Sequence, residues 1–345
     1  MKLELERHVL SLATPMRAAH GNISQREVFQ VSLTGEDGLS GYGEAAPLPG
    51  YDGPDAGVVL RALRTYVGVV ARAGERAQSG VRVLEACRRA ADVPQALAAI
   101  DLALWDRAGR RAGRPVAALL TDVPAAKVPV NATIAATDRA GVAAQVAEAA
   151  RAGFECVKLK VGVGDDAGRV AAARAAAGPG IALRLDANGA WDVAQAVRTI
   201  EALAPAGLEL VEEPARGLRA VRAVRERVAV RIAIDETAAE PGALGAGVAD
   251  AVCLKISRCG GIAGLLAAAA LVRSSGAEVY LASTLDGPLG VAAALHAAAA
   301  LASRGPLPHC GLATLGLFEG LSDALAPSAG AIALPTGGGL GVDPL

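Results

Sequence analysis

The chain has 345 residues, 52% of them hydrophobic, and a formal net charge of -1 from 34 basic and 35 acidic side chains. That length supports a large core and two domains, and the balanced charge lacks the basic footprint that nucleic acid requires. Five cysteines without CxxC spacing supply neither a disulfide framework nor a zinc site, so Cys87, Cys156, Cys253 and Cys259 read as small core residues.

The opening "MKLELERHVL" carries charges throughout and has no apolar stretch of signal-peptide length. Next, "REVFQVSLTGEDGLSGYGEAAP" predicts two antiparallel strands around the turn "GEDG". "VPQALAAIDLALWDRAGRRAG" (93–113) predicts a buried helix through Leu97, Ile100, Leu102, Leu104 and Trp105. Residues 1–125 are therefore expected to form an α+β domain. From about residue 128 short apolar runs alternate with Ala-rich helical segments. Strands are expected at 128–136, 156–161, 181–187, 208–213, 230–236, 251–256 and 278–283, with a weak one at 307–311. Helices are expected at 138–152, 191–203, 217–227, 260–274 and 287–302. Repeated βα units imply an α/β fold with parallel strands, and eight of them imply a closed (β/α)8 barrel, here spanning 126–325. The Gly- and Pro-rich tail, 326–345, is expected to return to the N-terminal domain. The Ala-rich stretch 288–302 is interrupted by His296 and reads as a buried helix, not a membrane span. The expectation is a soluble, reduced, cytoplasmic protein without membrane or nucleic-acid partners. Assembly is left open, with a homo-oligomer among the options.

Only five of the 34 basic residues are lysines, so a lysine inside an apolar strand stands out. "VKLKV" holds two, Lys158 and Lys160, on the same side of one strand. Lysine can lose its proton when buried, whereas arginine effectively cannot. The other strands end in Asp186, Glu212 with Glu213, Asp235 with Glu236, Lys255, and Ser283 with Thr284. In a barrel of this type these ends converge on one mouth. Three carboxylates on consecutive strands repel one another without a cation. Asp186, Glu212 and Asp235 are hard oxygen donors suited to Mg2+. Lys255 approaches from the opposite side of the ring. A small carboxylate substrate would then lie between ammonium groups, an arrangement suited to removing the proton α to its carboxylate. Any one of these acids alone could cap a helix or form a surface ion pair; the ordered set in register with the barrel period is what points to chemistry. Glu213, Glu236 and Asn188 are expected as supporting or substrate-contacting residues, as are Lys158, Ser283 and Thr284. His296 is expected in the core, and spacing alone does not bring His20 or His309 to the site.

These motifs, "GYGEAAPLPGYD", "AIDLALWDRAGRRAG", "VKLKVG", "LRLDANGAW", "VEEP", "AIDET" and "LKISRCGG", resemble the enolase superfamily in its muconate-lactonizing-enzyme subgroup, over nearly the whole chain. The resemblance implies Mg2+ on Asp186, Glu212 and Asp235, with Lys160 and Lys255 on opposite faces of the substrate and Lys158 auxiliary. It also implies a capping domain that closes the mouth, with 15–26 as its lid loop. The subgroup includes o-succinylbenzoate synthases, N-succinylamino acid racemases, dipeptide epimerases and cycloisomerases. "APLPGYD" and "PHCGLATLGLFEG" resemble the synthases, and no acid stands at His309–Gly311 where epimerases commonly carry a D-x-D. "STLDGPLG" departs from the Ser-rich turn of the synthases at Pro288. A binding protein that keeps the metal but has lost turnover is the reading from another class.

Overall fold

A hairpin opens the chain in the computed structural model, which describes residues 1–18, 21–51, 53–73, 79–321, 323 and 325–345. Strand β1 (Lys2–Ala18) pairs antiparallel with β2 (Gly21–Thr34), and β2 pairs with β3 (Ser40–Ala45). The β2–β3 pair is the predicted one, whereas β1 is additional. Its alternation of Leu3 and Leu5 with Glu4 and Glu6 is an ordinary strand pattern, in which Leu3 is buried and Leu5 packs against the cap core. Segment 15–26 differs from the expected loop, because Met16 pairs with Ile23 across the same hairpin. A register shift between Ser11 and Met16 separates this tip from the main ladder. His20 lies outside the described residues.

Helices α1 (Ala56–Ala73), α2 (Gly80–Ala90) and α3 (Pro94–Ala112) complete the cap, followed by the short α4 (Val116–Leu120). On α1, Val59, Leu63, Tyr66 and Val70 recur at helical spacing and are buried. Helix α3 starts on Pro94 and stops at Gly113, which takes a left-handed φ of 61°. Its Leu97 and Ile100 join the cap core, while Leu102 joins the barrel core. The "GYG" motif has a packing reason: a Cβ on Gly41 or Gly43 would meet the backbone of α3 at Ala103 or Ala99.

The predicted strand 128–136 is two strands. Pro129 ends β4 (Lys127–Pro129), which pairs antiparallel with tail residues Ala331–Ala333, and β5 (Ala132–Ile134) begins the barrel. Strands β6 (Cys156–Lys160), β7 (Ala182–Asp186), β8 (Leu208–Glu212), β9 (Ile232–Ile234), β10 (Ala251–Leu254) and β11 (Glu278–Leu281) follow. The seven form one parallel sheet in chain order. The weak eighth strand is a two-residue seam. Cys310 bridges to Val130 and Gly311 to Ala282, so the sheet curls until its edges meet.

Between strands lie α5 (Arg139–Arg151), α6 (Asp166–Ala177), α7 (Val193–Leu203), α8 (Leu218–Arg225), α9 (Ile262–Ser274) and α10 (Pro288–Ala302). Asp138, Asp165 and Asp192 cap the first three of these by accepting backbone N–H bonds. After β9 two 3-10 turns, Glu236–Ala239 and Ala243–Gly245, replace a helix. Helix α10 is buried along almost its whole length, which its small side chains permit. His296 within it accepts from Ala117 N at 3.2 Å through Nδ1, leaving Nε2 to donate to Leu340 O at 3.1 Å. The tail, with β12 (Ala331–Ala333), also reaches the cap. Leu340 N donates to Asp106 on α3 at 2.7 Å, and Leu345 N donates to Gln30 on β2 at 3.1 Å. Among the described residues no helix is long and apolar enough to cross a membrane.

Candidate active site

Parallel strands that all end on one face bring their terminal side chains together. Lys158 and Lys160, two residues apart on β6, both turn inward. Lys158 Nζ donates to Glu212 Oε1 at 3.0 Å and lies 3.2 Å from Asp186 Oδ2. Lys160 Nζ donates to Asp186 Oδ2 and to Asn188 Oδ1, both at 2.7 Å. Four strands round the ring, Lys255 Nζ donates to Asp235 Oδ2 at 2.7 Å. Arg258 Nη1 adds a bond to Asp235 Oδ1 at 3.0 Å. The three carboxylates, all on consecutive strands or just past them, are at most 1% exposed.

Burial and charge set their protonation. Burial penalises the charge on Lys158, but Glu212 and Asp186 outweigh it and hold this amine protonated well above the usual lysine range. Lys158 is thereby a fixed cation. Burial likewise opposes ionisation of Asp186, and Lys160 and Lys158 overcome it and keep the acid below its ordinary range. Asp235 is also held low, with Lys255 and Arg258 outweighing burial. Glu212 goes the other way: burial, reinforced by Asp186, pushes it up to about 7. One carboxylate of the set is thus short of positive charge.

The supporting residues shape the rim. Glu213, φ 42°, accepts from Asp235 N at 2.8 Å and from Thr237 N at 3.2 Å, and so fixes the turn after β9. Burial beside Glu236 raises Glu213 to about 8. Asn188, φ 46°, links Lys160 to Glu236 Oε1, the latter through Nδ2 at 3.0 Å. Non-glycine residues at positive φ persist where their surroundings over-determine them. Ser283 and Thr284 line the pocket, but their hydroxyls also build the loop. Ser283 Oγ accepts from Asp286 N at 2.8 Å, and Thr284 Oγ1 donates to Asp286 Oδ1 at 2.7 Å.

Spacing does not reveal several other residues. Tyr51, from the cap, donates to Asp235 Oδ2 and accepts from Lys255 Nζ, each at 2.5 Å. The Lys255 ammonium also lies 4.1 Å from the Tyr51 ring centroid. An aromatic in "PGYD", inside a motif already singled out, is the available signal for it. Arg258, in "ISRCGG", is another. Met16, Ile23 and Leu48 of the cap, with Leu285 and Leu317, form the apolar wall facing the three lysines. His309 lies at the other end of the barrel, 3.8 Å from Glu155, ahead of the seam.

The donor chemistry fits a hard divalent cation. Oxygen donors of Glu212 and Asp235 lie within 4.8 Å of each other and of Cys253 Sγ. Asp186 stands beside Glu212 in register and is engaged by the two β6 lysines. A cation among these oxygens would supply the charge that buried Glu212 lacks.

Comparison with known proteins agrees with this architecture. The family described as "Enolase C-terminal domain-like" matches residues 141–345, and the "Mandelate racemase / muconate lactonizing enzyme, N-terminal domain" matches residues 3–121. The chain is 31% identical over 301 residues to a hydrophobic dipeptide epimerase of Enterococcus faecalis, covering 84% of each protein. It is 39% identical over 217 residues to an o-succinylbenzoate synthase of Thermobifida fusca, covering 59% of this chain and 66% of the relative. A crystal structure of the Enterococcus faecalis dipeptide epimerase, complexed with Mg and the dipeptide L-Leu-L-Tyr, superposes with a TM-score of 0.89. It is 28% identical and covers 99% of this chain and 98% of that one. The chain belongs to the enolase superfamily of enzymes, among its muconate-lactonizing-enzyme-like members.

Proposed function

We propose that this protein removes the proton α to the carboxylate of a small acid, and that it is an o-succinylbenzoate synthase. The observation that carries the reaction type is the placement of Lys160 and Lys255. They stand on strands four apart in an eight-segment ring, face one pocket, and are held by different carboxylates. In this reading Asp186, Glu212 and Asp235 hold Mg2+, which supplies charge stabilisation for the substrate carboxylate as the α-proton leaves.

The chain's own residues do the rest. Lys160, as the free amine, takes the α-proton onto Nζ, and the C–H electron pair moves toward the carboxylate. Lys255 remains an ammonium on the far face and stabilises the negative charge that develops. Lys160 then returns its proton to the departing hydroxyl on the same face, releasing water and the aromatic product, a syn dehydration. Lys158, held charged by Glu212 and Asp186, serves as a cation and not as a base. The wall of Met16, Ile23, Leu48, Leu285 and Leu317 keeps water from the reacting carbon.

The synthase reading is favoured over a dipeptide substrate by the pocket lining. Among the described residues that lining contains three lysines and no carboxylate to receive a free ammonium. A second reading, racemisation of an N-succinylamino acid or epimerisation of a dipeptide, draws on the same two lysines and on the likeness to the epimerase. The test is to supply the hydroxycyclohexadiene carboxylate precursor of o-succinylbenzoate with Mg2+ and follow aromatisation. In parallel, α-proton exchange from D2O is measured on N-succinylamino acids and dipeptides. Aromatisation supports the synthase. Exchange on dipeptides without aromatisation sinks it, and neither reaction with any acid favours a binding protein.

A further inference from the structure

Beneath the mouth a column of side chains crosses the barrel interior. Tyr280 sits on β11 between Val279 and Leu281, which alternation turns to the opposite side. It is 1% exposed. Its ring lies against the Arg184 guanidinium, 5.1 Å from carbon to centroid. That guanidinium is itself fixed. It forks onto Glu209 at 2.7 and 2.9 Å and donates to His309 O at 2.6 Å. The phenol therefore rests on a platform anchored by three hydrogen bonds. Its hydroxyl donates to Glu212 Oε2 at 2.7 Å, from three strands round the ring.

Glu212 is thus held from two sides by different kinds of donor. Lys158 brings a positive charge. Tyr280 brings a neutral O–H, which orients the carboxylate without cancelling its charge. A buried phenol with no acceptor would be costly, so the bond specifies both partners. Groups that orient a metal ligand from behind commonly govern affinity as much as geometry.

From this column we infer that Tyr280 is a positioning residue for the cation site, setting the orientation in which Glu212 presents its charge to a divalent ion. The inference rests on the reading that Glu212 is a cation ligand. The test uses Mn2+ alone, without substrate, titrated calorimetrically into wild-type, Tyr280→Phe and Tyr66→Phe protein, with thermal unfolding of each in the absence of metal. Tyr66 is the matched control, because its buried hydroxyl donates to Ala91 O at 2.5 Å within the cap. The expected result is Mn2+ binding weakened about tenfold in Tyr280→Phe and unchanged in Tyr66→Phe. Folded Tyr280→Phe that binds Mn2+ within twofold of wild type overturns the inference and leaves the functional reading standing. Failure of wild-type protein to bind Mn2+ removes the functional reading and the inference with it.

A second measurement covers a Tyr280→Phe variant that does not fold. In wild-type protein labelled with 13C at the tyrosine ring carbon bearing the hydroxyl, there are four resonances to assign. Phenylalanine variants of Tyr42, Tyr51 and Tyr66 identify three, and Tyr280 is the remaining one. Saturating Mg2+ should shift the Tyr280 resonance. A resonance that stays in place overturns the inference.

Discussion

The barrel side of the pocket presents Lys158, Lys160 and Lys255 above three buried carboxylates, while the cap side presents Met16, Ile23, Leu48 and Tyr51. The barrel residues sit at strand ends whose backbones are locked to two neighbours each. The cap residues sit on a hairpin tip and a loop. Rigid placement suits proton transfer, which is sensitive to small displacements. Apolar contacts tolerate looser placement and can be exchanged without disturbing the chemistry. In the proposed reading the reaction type therefore follows from the barrel, and the choice of substrate from the cap together with Leu285 and Leu317.

The comparison breaks most visibly at the lysines. Lys160→Ala should lower turnover by roughly 10²–10⁴-fold, the usual worth of a positioned acid or base. Appreciable remaining activity would refute its assignment. Lys255→Arg sharpens the point. A synthase that needs only a cation keeps a trace of activity, whereas a racemase that needs a free amine on that face loses interconversion of the two enantiomers. On the cap side, Leu48→Ala should raise KM by about tenfold, the order expected when apolar contact to a substrate is trimmed, with kcat altered much less. A fall in kcat matching the Lys160 effect would erase the distinction between the two sides.

A smaller effect is expected where the sides meet. Glu44 of β3 is buried against the loop after β11, with Gly287 N donating to its Oε1 at 2.7 Å. Burial, then repulsion from Asp286, raises its acid from 4.5 to about 8, with the Gly287 and Gly290 amides and Arg26 acting in the opposite sense. A raised carboxyl favours folding below its unfolded value. Between about pH 4.5 and 8 the unfolded chain releases this proton and the folded one keeps it. Its contribution therefore declines as pH rises through that window. Glu44→Gln should flatten that decline, which amounts to at most about 1.4 kcal/mol per pH unit. Denaturant midpoints from pH 5 to 8 measure it; parallel curves for the two proteins would refute the account.

Much of the barrel is legible because its code is local. Alternation places Lys158 and Lys160 together, and strand ends recur once per βα unit, so Asp186, Glu212, Asp235 and Lys255 align without any knowledge of long-range contacts. The cap contacts have no such period. Tyr51 meets Lys255 across 204 residues and Asp235 across 184, and nothing in a local window encodes that meeting. Tyr280 is hidden for another reason: inside an apolar strand an aromatic reads as packing, and its hydroxyl partner lies on a distant strand. The expected lid at 15–26 misses its pairing because charged and small residues there conceal the strand pattern. Strand 128–136 divides because its first half pairs with a tail about 200 residues away.

The tail has a mechanical consequence. Residue 2 begins β1 at the cap sheet, and residue 345 is tied to β2 of the same sheet. The barrel is therefore spliced into the cap, with both of its connections anchored there. A force applied between residues 2 and 345 would be borne first by the cap sheet and the tail's own attachments. The catalytic strands would carry tension only after those had given way.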